Sequence, residues 1–310
     1  MSFQLTILGT GSASPVLTRN PTAHHLQIEQ EGYLIDCGEN TQHQLLLFKI
    51  RTTKLKYIFI SHLHGDHFFG LIGLLSTLNM HRRIDDLCIF GPKGLSEIIT
   101  LQLKYSDTRL NFNIKFIETD TEKSYLLFEN EYVSVTTIPL VHRVPCCGFL
   151  FREKKRKRKI VKETKPNDLD FEEIKALKDG RDILNPDGSI KYKNEDYTLP
   201  STKSCSYAFC SDTQYYEPII DIVKNVDVLY HEATFLHELM PRATQTFHAT
   251  TKQAATIAKK AKVGKLIIGH YSSRYKTLDA HLAEAREVFQ NTYLAVEGEV
   301  HKIRDSKAKD

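Results

Sequence analysis

The sequence contains no run of about 18 consecutive apolar residues, the length that a membrane-spanning helix requires. Its first residues also show no basic stretch followed by an apolar one, so a secretion leader is not expected. Hydrophobic residues make up 41% and charged residues 26% of the 310 positions, which is typical of a globular chain with a sizeable core. We therefore expect a cytoplasmic protein that does not enter a membrane.

Two common cysteine and glycine signatures are also missing. The six cysteines form no Cys-x-x-Cys pair, so we expect ordinary thiols in a reducing compartment. The glycine-rich opening, Gly9-Thr10-Gly11, is not followed by the Lys-Ser/Thr of a phosphate-binding loop or by a longer GxGxxG pattern. We interpret it as a tight turn in which small residues let chain segments approach each other.

Short apolar stretches of β type alternate with helical patterns over most of the chain. Residues 4–8, 57–60 and 206–210 have the composition of strands, and residues 94–105 and 250–260 follow a helical pattern. Several strand-like stretches are apolar throughout, as in strands that are buried on both faces. Hairpins early in the chain and strand–helix units later predict an α/β protein with mixed sheets.

Residues 152–203 interrupt this pattern. They hold 15 lysines and arginines against 11 acidic residues, a surplus of four that equals the net charge of the whole chain. Nine of those basic residues and only two acidic ones fall within residues 152–165. The segment leaves one predicted strand and returns to another, with a helix expected near residues 171–178. We therefore predict a basic insertion in one larger unit.

The densest group of possible metal ligands lies directly after the predicted strand at residues 57–60. It reads Ser61-His62-Leu63-His64-Gly65-Asp66-His67 and precedes an apolar helical stretch. Loops at the carboxyl ends of strands are where α/β proteins build their sites. Imidazole and carboxylate together suit a divalent ion such as zinc. This spacing therefore predicts a metal site.

Three further ligand types stand at equivalent positions. His142, Asp212 and His270 each follow a predicted strand, as the first histidine motif does. Taken alone, each of these residues is more typical of a hydrogen-bonded polar residue in the core or in a loop than of a metal ligand. Because all three accompany the first motif at matching positions, together they predict the remaining ligands of a site for two ions.

These motifs resemble those of the metallo-β-lactamase superfamily and, within it, the short form of the ribonuclease Z family. The resemblance extends in order over essentially the whole chain. Further motifs that carry it are Gly9–Pro15 with Arg19-Asn20, Asp36-Cys37-Gly38-Glu39, His231-Glu232-Ala233-Thr234-Phe235, His248-Ala249-Thr250 and His270-Tyr271-Ser272-Ser273-Arg274-Tyr275.

The resemblance implies a four-layer αβ/βα sandwich of two mixed sheets. It implies one catalytic domain over residues 1–310, with residues 152–203 as an inserted arm outside the catalytic core. It also implies two zinc ions per subunit, with manganese as a possible substitute. One zinc would be held by His62, His64 and His142 and the other by Asp66, His67 and His270, with Asp212 bridging the two.

The same resemblance implies an endonuclease that removes the 3′ trailer from precursor tRNA and leaves a 3′-hydroxyl after the discriminator nucleotide. Asp66 lies beside the attacking water, His248 is the candidate proton donor to the leaving oxygen, and Glu232 is its expected partner. Three departures from the family pattern are visible, and none removes a ligand: Leu17 stands for a lysine, Ala249 for a serine, and Cys210-Ser211 for Ser-Gly before Asp212.

The family likeness also implies how RNA is bound. The arm would hold the tRNA by its phosphates, and the family's homodimer would present that tRNA to the partner subunit's site. The predicted contacts are Arg274 and the basic run Lys154, Lys155, Arg156, Lys157, Arg158 and Lys159. The run contains no aromatic residue, so we expect it to contact phosphates rather than to stack on bases.

Two other functions stay open at this point. The chain could be a hydrolase of the same fold that acts on small phosphodiesters or thioesters. It could also be a tRNA-binding module without catalysis, although such a module would not need a complete set of metal ligands.

Overall fold

The structure is a computed structural model, and it describes residues 3–201 and 203–304. It contains 18 strands within that part of the chain. In chain order these are β1 (Phe3–Gly9), β2 (Ala23–Ile28), β3 (Glu31–Ile35), β4 (Leu55–Phe59), β5 (Leu87–Gly91), β6 (Ile114–Glu118), β7 (Leu126–Glu129), β8 (Val133–Pro139), β9 (Cys147–Glu153), β10 (Lys159–Ile160), β11 (Ile183–Leu184), β12 (Ile190–Tyr192), β13 (Thr198–Leu199), β14 (Ser206–Cys210), β15 (Val228–Glu232), β16 (Lys265–Gly269), β17 (Thr292–Leu294) and β18 (Val300–Lys302).

Ten α-helices and two short 3₁₀ turns connect the strands in the same described residues. The helices are α1 (Thr41–Leu47), α2 (Gly65–Phe68), α3 (Gly70–Met80), α4 (Leu95–Tyr105), α5 (Phe171–Lys178), α6 (Asn194–Tyr197), α7 (Ile219–Ile222), α8 (Met240–Thr246), α9 (Thr251–Lys260) and α10 (Asp279–Val288). None of the described helices is long and apolar enough to cross a membrane.

The chain divides into two compact units, Met1–Arg152 with Cys205–Asp310 and, between them, Glu153–Ser204. The larger unit contains two seven-stranded sheets, with strand orders β18-β1-β2-β3-β4-β5-β6 and β17-β16-β15-β14-β9-β8-β7. Each sheet combines parallel and antiparallel neighbours: β3, β4, β5 and β6 are parallel in the first, and β14, β15, β16 and β17 in the second. The mixed-sheet α/β architecture predicted from the sequence is confirmed.

The larger unit has four layers because its strands are buried on both faces. In β14, Tyr207 and Phe209 pack into the cluster between the two sheets, whereas Ala208 and Cys210 pack outward. The outward cluster of this sheet also contains alanines of α9, whose small side chains let the helix lie close to the strands. A third cluster joins the outer face of the first sheet to the leucines of α3. The sequence of layers is therefore helix, sheet, sheet, helix.

The smaller unit consists of short elements. Two-stranded sheets form between β10 and β13 and between β11 and β12. Helix α5 begins with a capping box, in which the Asp170 carboxylate accepts from the Glu173 backbone and Glu173 accepts from the Asp170 backbone. The two hydrogen bonds close the first turn of the helix. This local signal explains why a helix could be predicted for residues 171–178 in an otherwise polar segment.

Candidate metal centre

The first four predicted ligands lie at the carboxyl end of β4. His62 and His64 stand in the loop, and Asp66 and His67 belong to α2, which begins at Gly65. This loop packs tightly against the one after β3, because a Cβ on Gly38 would lie 2.3 Å from the Asp66 carbonyl oxygen. Glycine at position 38 therefore permits the close approach that turns the motif inward.

The other three predicted ligands come from the second sheet. His142 follows β8, Asp212 follows β14, and His270 follows β16 directly. His270 has a left-handed backbone (φ 61°), which turns the chain sharply at the end of its strand. The ends of one central strand of the first sheet and three strands of the second thus bring all seven predicted ligands to one edge of the sandwich.

Four of these side chains surround one point. His64 Nδ1 lies 3.2 Å from His62 Nε2 and 3.1 Å from His142 Nε2. Asp212 Oδ2 lies 3.8 Å from His62 Nε2 and 3.7 Å from His142 Nε2. The nitrogen and oxygen atoms of all four lie within 4.8 Å of one another, which is a group able to hold a metal ion.

A second group surrounds the other oxygen of the same aspartate. Asp212 Oδ1 lies 3.3 Å from His67 Nε2 and 3.2 Å from His270 Nε2. Asp66 Oδ2 lies 3.4 and 3.5 Å from the same two nitrogens. All four atoms are buried and have no hydrogen-bond partner among the described residues. Asp212 therefore offers one oxygen to each group.

These distances and the unpartnered atoms fit metal ions. Ligand atoms bonded to a tetrahedral zinc at roughly 2.0–2.1 Å lie about 3.3–3.4 Å from one another. Buried carboxylate and imidazole atoms without hydrogen bonds are costly unless a cation satisfies them. Burial alone would lower the pKa of His67, but Asp212, Asp66 and Asp36 hold that pKa well above its ordinary value. The electrostatic potential around His67 therefore favours a positive charge.

The ring nitrogens that face away from the centre have partners of their own. His67 Nδ1 donates to Asp36 Oδ2 at 2.7 Å, and His142 Nδ1 donates to the Phe247 carbonyl at 3.0 Å. His270 Nδ1 lies 2.9 Å from Thr234 Oγ1. Such contacts fix the ring orientation and the tautomer of a metal-binding histidine.

Asp36 also anchors the histidine loop itself. It is completely buried, and its two oxygens accept from the Ser61 backbone N–H at 2.8 Å and from the Ser61 hydroxyl at 2.9 Å. The sequence analysis included Asp36 in a family motif without giving it this role. Its position directly after a buried strand, level with the histidine loop, was the signal that could have identified it.

Glu232 and His248 form a pair beside the two ligand groups. The fully buried Glu232 accepts from His248 Nδ1 at 2.8 Å and from the Thr213 backbone N–H at 2.9 Å. Its other oxygen accepts from the Thr234 hydroxyl at 2.6 Å. Burial lowers the pKa of His248, but Glu232, with smaller contributions from Asp212 and Asp66, outweighs burial and raises that pKa to about 9. The structure therefore holds a protonated imidazole next to the centre, 5.3 Å between ring centres from His270.

Thr234 is a second residue whose role the sequence did not reveal. Its hydroxyl contacts Glu232, His270 and, at 3.4 Å, His248. It thereby links a ligand to the carboxylate–imidazole pair. The available signal was the position of Thr234 in the motif at residues 231–235, in which only Glu232 was given a role from the sequence.

Arg274 lies on the His248 side of the centre. Its guanidinium carbon is 5.3 Å from the centre of the Phe235 ring, which in turn is 6.1 Å from the His248 ring. The side chain is exposed and available to a ligand. Leu17, which stands where the family pattern has a lysine, is fully exposed.

The six predicted RNA contacts of the basic run lie in the smaller unit and differ in their surroundings. Arg156 binds Glu153 with contacts of 2.6 and 2.7 Å, and Arg158 donates to the Thr198 hydroxyl at 2.6 Å. Lys157 pairs with Asp179 at 3.6 Å, and Lys155 is exposed. The two arginines therefore hold the arm together, which the charge run alone did not indicate.

The four-layer sandwich with this ligand set at its edge defines a metal-dependent hydrolase of the metallo-β-lactamase fold. A protein named Ribonuclease Z from Cytophaga hutchinsonii is 48% identical over 305 residues, covering 98% of this chain and 97% of that protein. Ribonuclease Z from Bacteroides fragilis (strain YCH46) is 42% identical over 300 residues, covering 95% and 97%. The chain belongs to the ribonuclease Z family, and through residues 3–179 it also matches the family model described as Anti-Pycsar protein Apyc1.

Solved structures agree with this assignment. The crystal structure of human tRNase Z, short form, has a TM-score of 0.70 and 28% identity, and the match covers 97% of this chain and all of the human one. The metallo-β-lactamase fold protein YhfI from Bacillus subtilis has a TM-score of 0.67 at 19% identity and covers 97% of this chain, which supports the fold. The resemblance seen in the sequence is therefore confirmed.

Proposed function

We propose that this protein is a zinc-dependent endoribonuclease that cuts precursor tRNA after the discriminator nucleotide and leaves a 3′-hydroxyl on the tRNA. The observation that carries the proposal is the pair of ligand groups sharing Asp212, with the protonated His248 beside them. Two metal sites together with a proton donor meet the needs of phosphodiester hydrolysis, namely a nucleophile, charge stabilisation and protonation of the leaving oxygen.

In this proposal two zinc ions bind per subunit. His62, His64, His142 and Asp212 would hold one of them. Asp66, His67 and His270, with the other oxygen of Asp212, would hold the second. When bound, the metals supply Lewis acidity and an acidified water. Manganese accepts the same imidazole and carboxylate ligands and is the alternative occupant.

The protein's own groups have separate tasks. The Asp66 carboxylate orients the attacking water and accepts its proton. His248 donates a proton to the 3′ oxygen as the phosphorus–oxygen bond breaks, and Glu232 keeps that imidazole charged and oriented through the 2.8 Å contact. Asp36 and Thr234 act on the reaction only through the ligands that they position.

We also propose that residues 152–203 form the tRNA-binding arm and that Arg274 contacts a substrate phosphate. Exposed lysines in the arm and the exposed guanidinium beside His248 support these contacts. We propose a homodimer, supported by the exposed apolar residues Leu46 and Leu47 of α1 and Met80 of α3. The site of action would be the cytoplasm, where precursor tRNA is made.

A second candidate is a phosphodiesterase for small substrates. The match of residues 3–179 to the family model described as Anti-Pycsar protein Apyc1 keeps this candidate open, because the match covers five of the seven predicted ligands and ends inside the arm. The identity of 48% to a protein named Ribonuclease Z over nearly the full length, arm included, favours the tRNA substrate.

The test compares two substrates and two variants. Zinc-loaded protein is incubated with an end-labelled precursor tRNA and, separately, with bis(p-nitrophenyl) phosphate. In one variant residues 153–204 are replaced by a short Gly-Ser linker, which can close because Arg152 and Ser206 are paired neighbours in β9 and β14. In the other, His64→Ala removes a ligand.

We expect one cut after the discriminator nucleotide by the unaltered protein. The arm deletion should weaken tRNA cleavage and spare the small diester, whereas His64→Ala should abolish both and leave tRNA binding intact. Turnover of the small diester with no cut in precursor tRNA would reject the tRNA function and keep the metal site. Cleavage unchanged in His64→Ala would reject the metal mechanism.

A further inference from the structure

A cavity of about 550 Å³ lies at the same edge of the sandwich as the ligands, outside both ligand groups. This volume is within the range of roughly 300–1,000 Å³ that is typical of small-molecule sites. Its walls come from the loops after β5 and β6 and from the residues that precede β9. They include Pro92, Lys93, Thr119, Tyr125 and Pro145, and we call this space the distal cavity.

The distal cavity adjoins the first ligand group. Pro145 in its wall precedes Cys146, whose sulfur lies 3.7 Å from His62 Nδ1 and 3.5 Å from the Asp212 carbonyl oxygen. On the opposite wall Lys93 precedes Gly94, where a Cβ would lie 3.6 Å from the side chain of Leu63, the residue between the two ligand histidines. The cavity therefore lies next to the loop that carries His62 and His64 and next to the segment between His142 and β9.

The other side of the centre carries the proposed proton donor. His248 lies against Phe235, and Phe235 lies against Arg274. In the strand order of the sheets, these residues follow β15 and β16, whereas the distal cavity follows β5 and β6 and precedes β9. The His248 ring lies 5.2 Å from that of His142 and 5.3 Å from that of His270, so it borders both ligand groups, and the distal cavity adjoins the first group from the β5 and β6 side.

An RNA strand runs from 5′ to 3′, and the position of the proton donor determines in which direction the substrate crosses the centre. His248 protonates the 3′ oxygen that leaves with the mature tRNA, so the tRNA lies on the side of Phe235 and Arg274. The nucleotides beyond the cut phosphate then run to the opposite side. We propose that the distal cavity binds the first nucleotides of the 3′ trailer, an inference that rests on the tRNA-processing function proposed above.

The walls of the cavity suit single-stranded RNA. Lys93 is exposed, and its side chain has no ion-pair or hydrogen-bond partner among the described residues, so it can contact a phosphate. The Tyr125 ring is held from one end, because its hydroxyl accepts from the Asp120 backbone at 3.1 Å, and it can stack on a base. The buried Thr119 hydroxyl has no partner in the described part of the chain.

The acidic residues of the wall limit how much RNA the cavity takes. Asp120 is compensated by Lys123 at 3.5 Å and by the Glu122 backbone N–H at 2.9 Å. Glu118 and Glu122 remain exposed at the rim, where they can accept from base amino groups but repel further phosphates. One or two nucleotides therefore fit better than a long strand.

The experiment uses two precursor tRNAs that differ only in the trailer, a single nucleotide in one and six nucleotides in the other. The variants are Lys93→Ala and Tyr125→Leu. Lys224→Ala is the matched control, since Lys224 is an exposed lysine that precedes β15 and so lies at the opposite edge of the second sheet. Bis(p-nitrophenyl) phosphate turnover and affinity for mature tRNA are measured for each.

Loss of one phosphate contact or one stacked base should lower kcat/KM for the six-nucleotide trailer about five- to tenfold. The one-nucleotide trailer fills only part of the cavity and should lose less, and turnover of the small diester and affinity for mature tRNA should change less than about twofold. No loss on the six-nucleotide trailer, an equal loss in Lys224→Ala, or weaker binding of mature tRNA would overturn the proposal. If the unaltered protein cleaves neither precursor but turns over the diester, the tRNA function fails first, which is a distinct result.

Discussion

The proposed metal centre and the arm differ in the burial of their charged side chains. Around the centre, Asp36, Asp212 and Glu232 are each at most 3% exposed. Asp36 and Glu232 have defined hydrogen-bond donors, and Asp212 faces the histidines of both ligand groups. In the arm, Lys155, Lys157 and Lys159 are exposed on elements as short as two residues. Buried charges act through exact position in a low dielectric, whereas exposed charges act through their number and are screened by salt.

This difference predicts how each region responds to substitution. Removal of one buried partner leaves another group uncompensated, so the loss should be large and should appear in kcat or metal content. Removal of one exposed lysine from a run leaves its neighbours in place, so the loss should be small and should appear in KM. The following predictions test that contrast, from the largest expected effect to the smallest.

The largest effect is expected from Asp212→Ala, because this residue offers an oxygen to both ligand groups. We expect a loss of about 10⁴-fold or more in kcat on both precursor tRNA and the small diester, since nothing else in the site can generate the nucleophile. Metal analysis of the purified protein should show fewer than two zinc ions per chain. The exposed His43 on α1 provides a control, and His43→Ala should retain both metals. Full zinc content in Asp212→Ala would contradict the bridging role.

His248→Ala should separate the two substrates. With precursor tRNA we expect a loss of about 10²–10⁴-fold in kcat, the usual contribution of a general acid. The nitrophenolate of the small diester is a stable leaving group that needs no proton, so its turnover should change by less than about tenfold. The comparison of kcat for both substrates is the measurement. Equal losses would mean that His248 serves the metal centre rather than the leaving group.

The pH profile should report the same imidazole. Glu232 raises the pKa of His248 to about 9, so the proton is present below that pH and is lost as the pH rises through it. Turnover of precursor tRNA should therefore fall on the alkaline side, and Glu232→Gln should move that fall to lower pH. The pH dependence of kcat for both proteins measures this. A fall at the same pH in Glu232→Gln would contradict the assigned pair.

A smaller effect is expected from Asp36→Asn. The substitution keeps the shape but weakens the contact with His67 and the anchoring of Ser61. Loss of such a partner typically costs about 10–100-fold in metal affinity. Competition with a chelator at several zinc concentrations gives that affinity, and activity at saturating zinc should largely return. Activity that stays low at saturating zinc would place Asp36 in the reaction itself.

The sequence revealed the ligands because each stands at the end of an apolar strand. Asp212 and His270 could be placed together because β14, β15 and β16 are parallel and align their carboxyl ends. His142 after β8 and the motif after β4 could be added only because each also follows an apolar strand. The contacts of Asp36 and Thr234 could not be predicted. Short polar side chains fit turns and caps equally well, and only the tertiary arrangement shows that one faces His67 and the other His270.

Local signals also explain which elements were found. Helix α5 has the bounds expected from the sequence because its capping box is local. The apolar helical stretch that follows the histidine motif, expected over residues 68–79, is α3 within one or two residues, and the short helix α2 that carries Asp66 and His67 precedes it. The edge strands β7, β17 and β18 were missed, because strands of three or four residues carry too little pattern. In the arm, the charge run did not reveal the structural pairs of Arg156 and Arg158.

The smallest effects are expected from substitutions in the arm. They test whether the lysines and the arginines of the basic run have different roles. Lys155→Ala should raise KM for precursor tRNA about two- to threefold and reduce the slope of log affinity against log salt by roughly one, with kcat unchanged. Arg158→Ala should behave differently, because its guanidinium holds Thr198 at 2.6 Å. It should make the arm more susceptible to limited proteolysis as well as weaken binding. If both variants changed only the salt slope, Arg158 would be an RNA contact like its neighbours, and the division of the run into structural arginines and binding lysines would be wrong.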